Sequence, residues 1–144
     1  KDVHDVIGGA DCGVKVNIID EQTANWSRDK AQDLMTNWLS TNKPFDGVIS
    51  NNDEMAIGAI QAMKAAGIDM KTVQVGGVDA TQDALAAMQA GDLDVTVFQN
   101  AAAQGSGAVD AAVKLAKGDK VDRAVWVPFE LVTPENVANY LKKN

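Results

Sequence analysis

Apolar residues recur along this chain at two spacings, and the alternation between them divides it into strand and helix units. Gly47-Val-Ile49 is too short for a helix and carries β-branched residues, as a buried strand does. Polar Ser50, Asn51 and Asn52 follow. Ala56, Ile57, Ile60, Met63 and Ala66 then return at helical spacing, and Gly67 stands where a left-handed C-cap belongs. Strand, polar corner and helix form the unit of parallel sheets, in which ligands bind beyond the carboxyl ends of the strands. Asn51, Asn52 and Asp53 lie at such an end. A plain helix-capping role for Asn52 or Asp53 satisfies the same spacing.

The unit repeats on both sides. Lys1 to Ile7 reads as the last two turns of a helix with Val3, Val6 and Ile7 on one face, ended by Gly8-Gly9, with a turn over Ala10 to Gly13. The glycines of this turn follow a helix and lack the G-x-G-x-x-G spacing, so they do not make a phosphate loop. Val14 to Ile19 is predicted as a strand and Asp20 to Trp26 as a corner. Ser27 then caps a helix with Ala31, Leu34, Met35, Trp38 and Leu39 in one stripe, and Pro44 closes it off. Beyond Gly67, strands are predicted at Thr72–Val75 and Leu93–Phe98, with corners at Gly76–Ala80 and Gln99–Ala101. Thr81 caps a helix with Ala84, Leu85 and Met88 inward, ended by Gly91. A further helix through Val109, Val113 and Leu115 ends at Gly118. Val125–Val132 is extended, and Thr133-Pro134 opens a last short helix with Val137, Tyr140 and Leu141 inward. Strands alternating with helices define an α/β fold on a parallel sheet, here one domain over residues 1–144.

Composition removes several function classes. A net charge of −7, from 13 basic and 20 acidic residues, opposes nucleic-acid binding, which needs basic patches. A single cysteine, Cys12, allows no intrachain disulfide. No apolar run is long enough to span a bilayer. Catalysis has little to stand on, because the only histidine, His4, lies on the first helix and Cys12 sits in a turn without an evident base. One His and one Cys do not make a zinc set, so neither a metal nor a cofactor is expected. Asp53 and Glu54 are adjacent and read as solvated charges at a helix start.

The corners carry the remaining chemistry. Asn25 and Trp26, Asn51 and Asn52, Asp79, and Gln99 with Asn100 follow four successive strands, and none is a lysine or arginine. An amide both donates and accepts, a carboxylate accepts from two hydroxyls, and an indole face covers the C–H side of a sugar ring. Together they suit a small, neutral, polyhydroxylated ligand. Turn formation by Asn and Asp and core packing by Trp26 are the alternatives.

Asn52-Asp-Glu-Met-Ala-Ile-Gly-Ala, Val75-Gly-Gly-Val-Asp-Ala-Thr, Ala90-Gly-Asp-Leu-Asp-Val-Thr-Val-Phe-Gln and Leu115-Ala-Lys-Gly resemble the C-terminal lobe of periplasmic sugar-binding proteins of the ribose-binding type. Val78-Asp79-Ala-Thr and Thr96-Val-Phe-Gln-Asn100 resemble the myo-inositol-binding branch more than ribose binders, which carry Phe where Val78 stands. The resemblance implies a flavodoxin-like parallel sheet flanked by helices, one lobe of a type I periplasmic binding protein. It implies a periplasmic receptor for a sugar or cyclitol, working with the membrane subunits of an ABC importer. Position by position, Trp26 matches the ring-stacking aromatic, Asn52 a hydroxyl-binding amide, Asp79 the carboxylate that takes two hydroxyls, and Gln99 the amide of the last corner.

The N-terminal lobe of that family has no counterpart here, nor has the C-terminal lobe's first strand or the arginine after it. The resemblance therefore implies a fragment, an engineered lobe or a sequence that omits residues. An open slot between Val14–Ile19 and Gly47–Ile49 follows, and through it self-association with a second chain. The effector lobe of LacI-type regulators shares the same motifs and is the alternative, as is an isolated lobe that binds nothing.

Overall fold

The computed structural model describes residues 3–7 and 13–143. The expected helix end at Gly8-Gly9, most of the turn after it, and Cys12 lie outside the described residues. The helices are α1 (Val3–Ile7), α2 (Arg28–Ser40), α3 (Asp53–Ala65), α4 (Gln82–Ala90) and α5 (Ala101–Ala116). The strands are β1 (Gly47–Ile49), β2 (Gln74–Gly76), β3 (Thr96–Phe98) and β4 (Glu130–Val132), with 3₁₀ turns at Met70–Thr72 and Val137–Asn139.

Each long helix starts on a side chain that takes one of its orphan amides. Ser27, Asn52, Thr81 and Asn100 accept from the N–H of Lys30, Met55, Ala84 and Ala103. Gly91, at φ 80°, closes α4 in the left-handed conformation that glycine adopts freely. The second expected strand starts later than Thr72, because Asp69 accepts from Lys71 N–H and winds Met70–Thr72 into a 3₁₀ turn first.

β1 runs parallel to β2, pairing Gly47 with Gln74, Val48 with Val75 and Ile49 with Gly76. Parallel bridges from Gly76 to Val95 and from Asp79 to Phe98 carry the sheet on to β3, and β4 closes it antiparallel, Thr96 opposite Val132. The carboxyl ends of β1, β2 and β3 thus share one edge.

α3 lies at the centre and is buried along most of its length, from Ala56 through Ile60 and again at Ala62 and Met63. It packs on α2 so closely that a Cβ on Gly58 would stand 2.1 Å from the Arg28 carbonyl oxygen. Its Met63 packs with Val75, Leu85, Leu93 and Val132 in the core. Phe98 and Tyr140 meet as tilted rings 5.5 Å apart, fixing the C-terminal segment.

Two sequence expectations are corrected here. Val14–Ile19 forms no strand, and Val14, Val16, Ile18 and Ile19 are exposed. A cleft of about 1560 Å³ separates residues 15–24 from the edge of β1, so this extended stretch has no ladder to join. The helix expected through Val109, Val113 and Leu115 forms as α5, and none of its residues is buried. That helix shares only a shallow cavity of about 330 Å³ with Val125, Val127 and Phe129. The short helix after Thr133-Pro134 is a turn instead, because Asn136 Oδ1 accepts from Thr133 N–H before the 3₁₀ turn begins. Val137 and Tyr140 are buried as expected.

Candidate functional site

The shared edge of β1, β2 and β3 gathers three corners. Asn52 Oδ1 accepts from Met55 N–H at 2.9 Å, so the capping role holds for this residue and leaves its amide nitrogen as the group it can offer. Gln99 Nε2 donates to Asp79 Oδ1 at 2.5 Å, which brings the second and third corners into contact. Asp79 N–H in turn donates to Val97 carbonyl at 2.9 Å. The main chain is left-handed at Asp79 (φ 116°) and Ala80 (φ 54°). Strained backbone of this kind persists only where surrounding contacts over-determine it.

Those contacts come largely from Asp53, a fully buried side chain. Its backbone N–H donates to Val78 carbonyl at 2.8 Å, and its Oδ2 accepts from Thr81 N–H at 2.8 Å. Its Oδ1 accepts from Thr96 Oγ1 at 2.7 Å, while Thr96 Oγ1 accepts from Ala80 N–H at 3.2 Å. Gly77 leaves room for the carboxylate, since a Cβ there would lie 2.3 Å from Oδ1. Burial pushes the Asp53 carboxyl above the ordinary carboxylate range, opposed by the hydrogen bonds from Thr96 and Thr81.

Arg28 ties three helix starts together at the same end of the molecule. Its guanidinium donates to both oxygens of Glu54, at 2.9 and 2.8 Å, and to Asp83 at 2.7 Å. Glu54, then Asp83, holds this guanidinium more firmly charged than usual. The charge of Arg28 is thus turned onto these two carboxylates.

The four residues singled out in the sequence are thus placed as follows. Asp79 and Gln99 touch, and Asn52 stands on the adjoining corner. Trp26 does not follow a strand, contrary to expectation, because Val14–Ile19 forms none. It stands two residues before Arg28, 66% exposed and left-handed at φ 61°, and lines the cleft together with Ser50, Asn51 and Met55. Its indole is therefore not core. Asp53 is a buried carboxylate rather than a solvated charge, and Thr96, absent from the corners the sequence offers, is its partner. A threonine inside the apolar run Leu93–Phe98 was the available signal, since a buried hydroxyl requires a partner. Among the described residues, no group of three or more His, Cys, Asp or Glu could hold a metal ion. No helix among them is long and apolar enough to cross a membrane.

A sheet flanked by helices, with its polar corners on one edge, is here one lobe of a type I periplasmic binding protein. The chain superposes with a TM-score of 0.83 on a Bacillus halodurans ABC-transporter solute-binding protein with bound myo-inositol. That protein is 48% identical, over 89% of this chain and 44% of its own. The chain belongs to the periplasmic binding protein domain family, matching it over residues 1–120. The Caulobacter myo-inositol binding protein, also with its ligand bound, gives a TM-score of 0.83 at 36% identity, over 95% of this chain and 46% of its own. A Rhizobium meliloti protein bearing the name of a rhizopine-binding protein is 60% identical over all of this chain and 46% of its own. The chain spans about half the length of the curated relatives it matches. These relatives are binding proteins, not enzymes, and the regulator alternative draws no support from them.

Proposed function

We propose that this chain is the C-terminal, ligand-binding lobe of a periplasmic receptor that delivers a sugar or cyclitol to an ABC importer. The ligand class is myo-inositol or a close relative. The observation that carries this reading is the Asp79–Gln99 pair at a strained corner beside Asn52. Such a corner is a preformed set of acceptors and donors for vicinal hydroxyls. Asp79 accepts from two hydroxyls, Gln99 and Asn52 each add an amide, and Trp26 supplies an exposed indole to stack on the ring. Relatives crystallised with myo-inositol at 48% and 36% identity favour a cyclitol over ribose.

The test is calorimetry on this lobe within a two-lobed receptor, titrated with myo-inositol, rhizopine and ribose. Binding of myo-inositol or rhizopine in preference to ribose is expected. Preference for ribose, or for an anionic sugar phosphate, would overturn the ligand class.

A further inference from the structure

The structure assigns to Asp53 a positioning role: working with Thr96, it holds the backbone at Asp79 and Ala80 in the left-handed conformation that presents the Asp79 carboxylate. The inference rests on the reading of Asp79 as a ligand-binding group but concerns two residues that never touch the ligand.

Three hydrogen bonds tie residues 78–81 to Asp53 and Thr96, and two of them depend on one buried carboxylate. Asp53 N–H fixes Val78 carbonyl on one side of Asp79, and Asp53 Oδ2 fixes Thr81 N–H on the other. Asp53 Oδ1 orients the Thr96 hydroxyl, whose oxygen is thereby turned to accept from Ala80 N–H. Gly77 completes the set, because any side chain there would displace Oδ1. Asp53 and Thr96 are both fully buried, so water cannot substitute for either partner. Without these ties, φ values of 116° and 54° at Asp79 and Ala80 would relax toward the negative φ that non-glycine residues prefer. The carboxylate would then swing away from Gln99 Nε2.

The chemistry demands a carboxylate. An ionised Asp accepts at both oxygens, from Thr81 N–H and from the Thr96 hydroxyl together. Asparagine offers one acceptor, and its N–H₂, turned toward Thr96, makes the hydroxyl accept rather than donate, in competition with Ala80 N–H and with the hydroxyl hydrogen left unpaired. Asp53→Asn should therefore break one of the two ties while changing neither size nor shape. Amide hydrogen exchange at Ala80 and Thr81 should accelerate about tenfold or more, as loss of a charge-assisted hydrogen bond would produce. Leu85 and Met88 amides in α4 should keep their protection, and the Gln99 side-chain amide resonances should move. Should Asp53→Asn fail to fold, Thr96→Val tests the same link and Thr96→Ser, which restores the hydroxyl, should rescue it.

Unchanged exchange at Ala80 and Thr81 in these variants would overturn the proposal. So would a uniform loss of protection across α4 that Thr96→Ser does not reverse, which would mark a merely structural role. These readouts need no ligand, so they decide the role of Asp53 whether or not Asp79 proves to bind one.

Discussion

Asp79 and Ala80 hold conformations that disfavour non-glycine residues by about 1–3 kcal/mol each, and the corner they form carries the carboxylate on which the binding reading depends. If Asp79 accepts from two ligand hydroxyls, truncating it leaves those hydroxyls poorly paired, at about 1–3 kcal/mol. Asp79→Ala in a two-lobed receptor should then weaken binding of the cyclitol by about ten- to a hundredfold. Unchanged calorimetric affinity would remove Asp79 from the site. A second residue-scale outcome concerns Glu130. Tyr140 Oη donates to it at 2.9 Å and Lys143 Nζ at 3.2 Å, and the two, Tyr140 first, hold its carboxyl below the ordinary value of 4.5. A lowered folded value means the contribution to stability is present above the unfolded value and is lost as pH falls through the folded one. Glu130→Gln should flatten the fall in urea midpoint below about pH 4.5, and an unaltered acid limb would show that the clasp adds nothing.

At the scale of elements, the contact between α2 and α3 is the least tolerant feature. A Cβ on Gly58 would overlap the Arg28 carbonyl at 2.1 Å, which is backbone and cannot rotate away. Gly58→Ala should therefore destabilise the chain by about 1–3 kcal/mol despite its better helix propensity, read as a lower urea midpoint. An unchanged or raised midpoint would mean the helices can slide apart freely. Helices α2, α3 and α4 were legible in the sequence because each has both a capping side chain and an apolar stripe with something to bury against. The corners were legible too, being the polar residues between those signals. What could not be read was partnership at a distance. The stripe Val109, Val113 and Leu115 has helical period, but period reports amphipathicity and not whether a neighbour covers it. Val14–Ile19 has strand composition, yet a strand exists only with a ladder partner. The burial of Asp53 depended on Thr96, a residue distant in sequence, and local spacing carries no trace of that pairing.

For the molecule as a whole, the exposed edge of β1 is the unusual feature. Among the described residues β1 pairs with β2 alone, and the cleft of about 1560 Å³ beside it leaves Ile49 63% exposed; an open edge of this kind is a template for another strand. A second copy of the chain is the donor expected. Sedimentation equilibrium should show association of the 144-residue chain, reduced by Ile49→Lys, which places a charge on that edge. A monomer at every concentration would dismiss the idea.

Binding by this chain on its own should be weak. One lobe offers a few hydrogen bonds of about 0.5–1.5 kcal/mol each, all competing with water, while immobilising a ligand costs several kcal/mol. The central claim, that the corners at the strand carboxyl ends form a cyclitol-binding face, is tested most directly by titrating myo-inositol into the isotope-labelled chain and following its NMR spectrum. The result expected is saturation at about millimolar or weaker, with shifts confined to residues 78–81, the side-chain amides of Asn52 and Gln99, and the Trp26 indole. Shifts gathered instead around Val125, Val127 and Phe129, or binding in the micromolar range by the monomer, would contradict it.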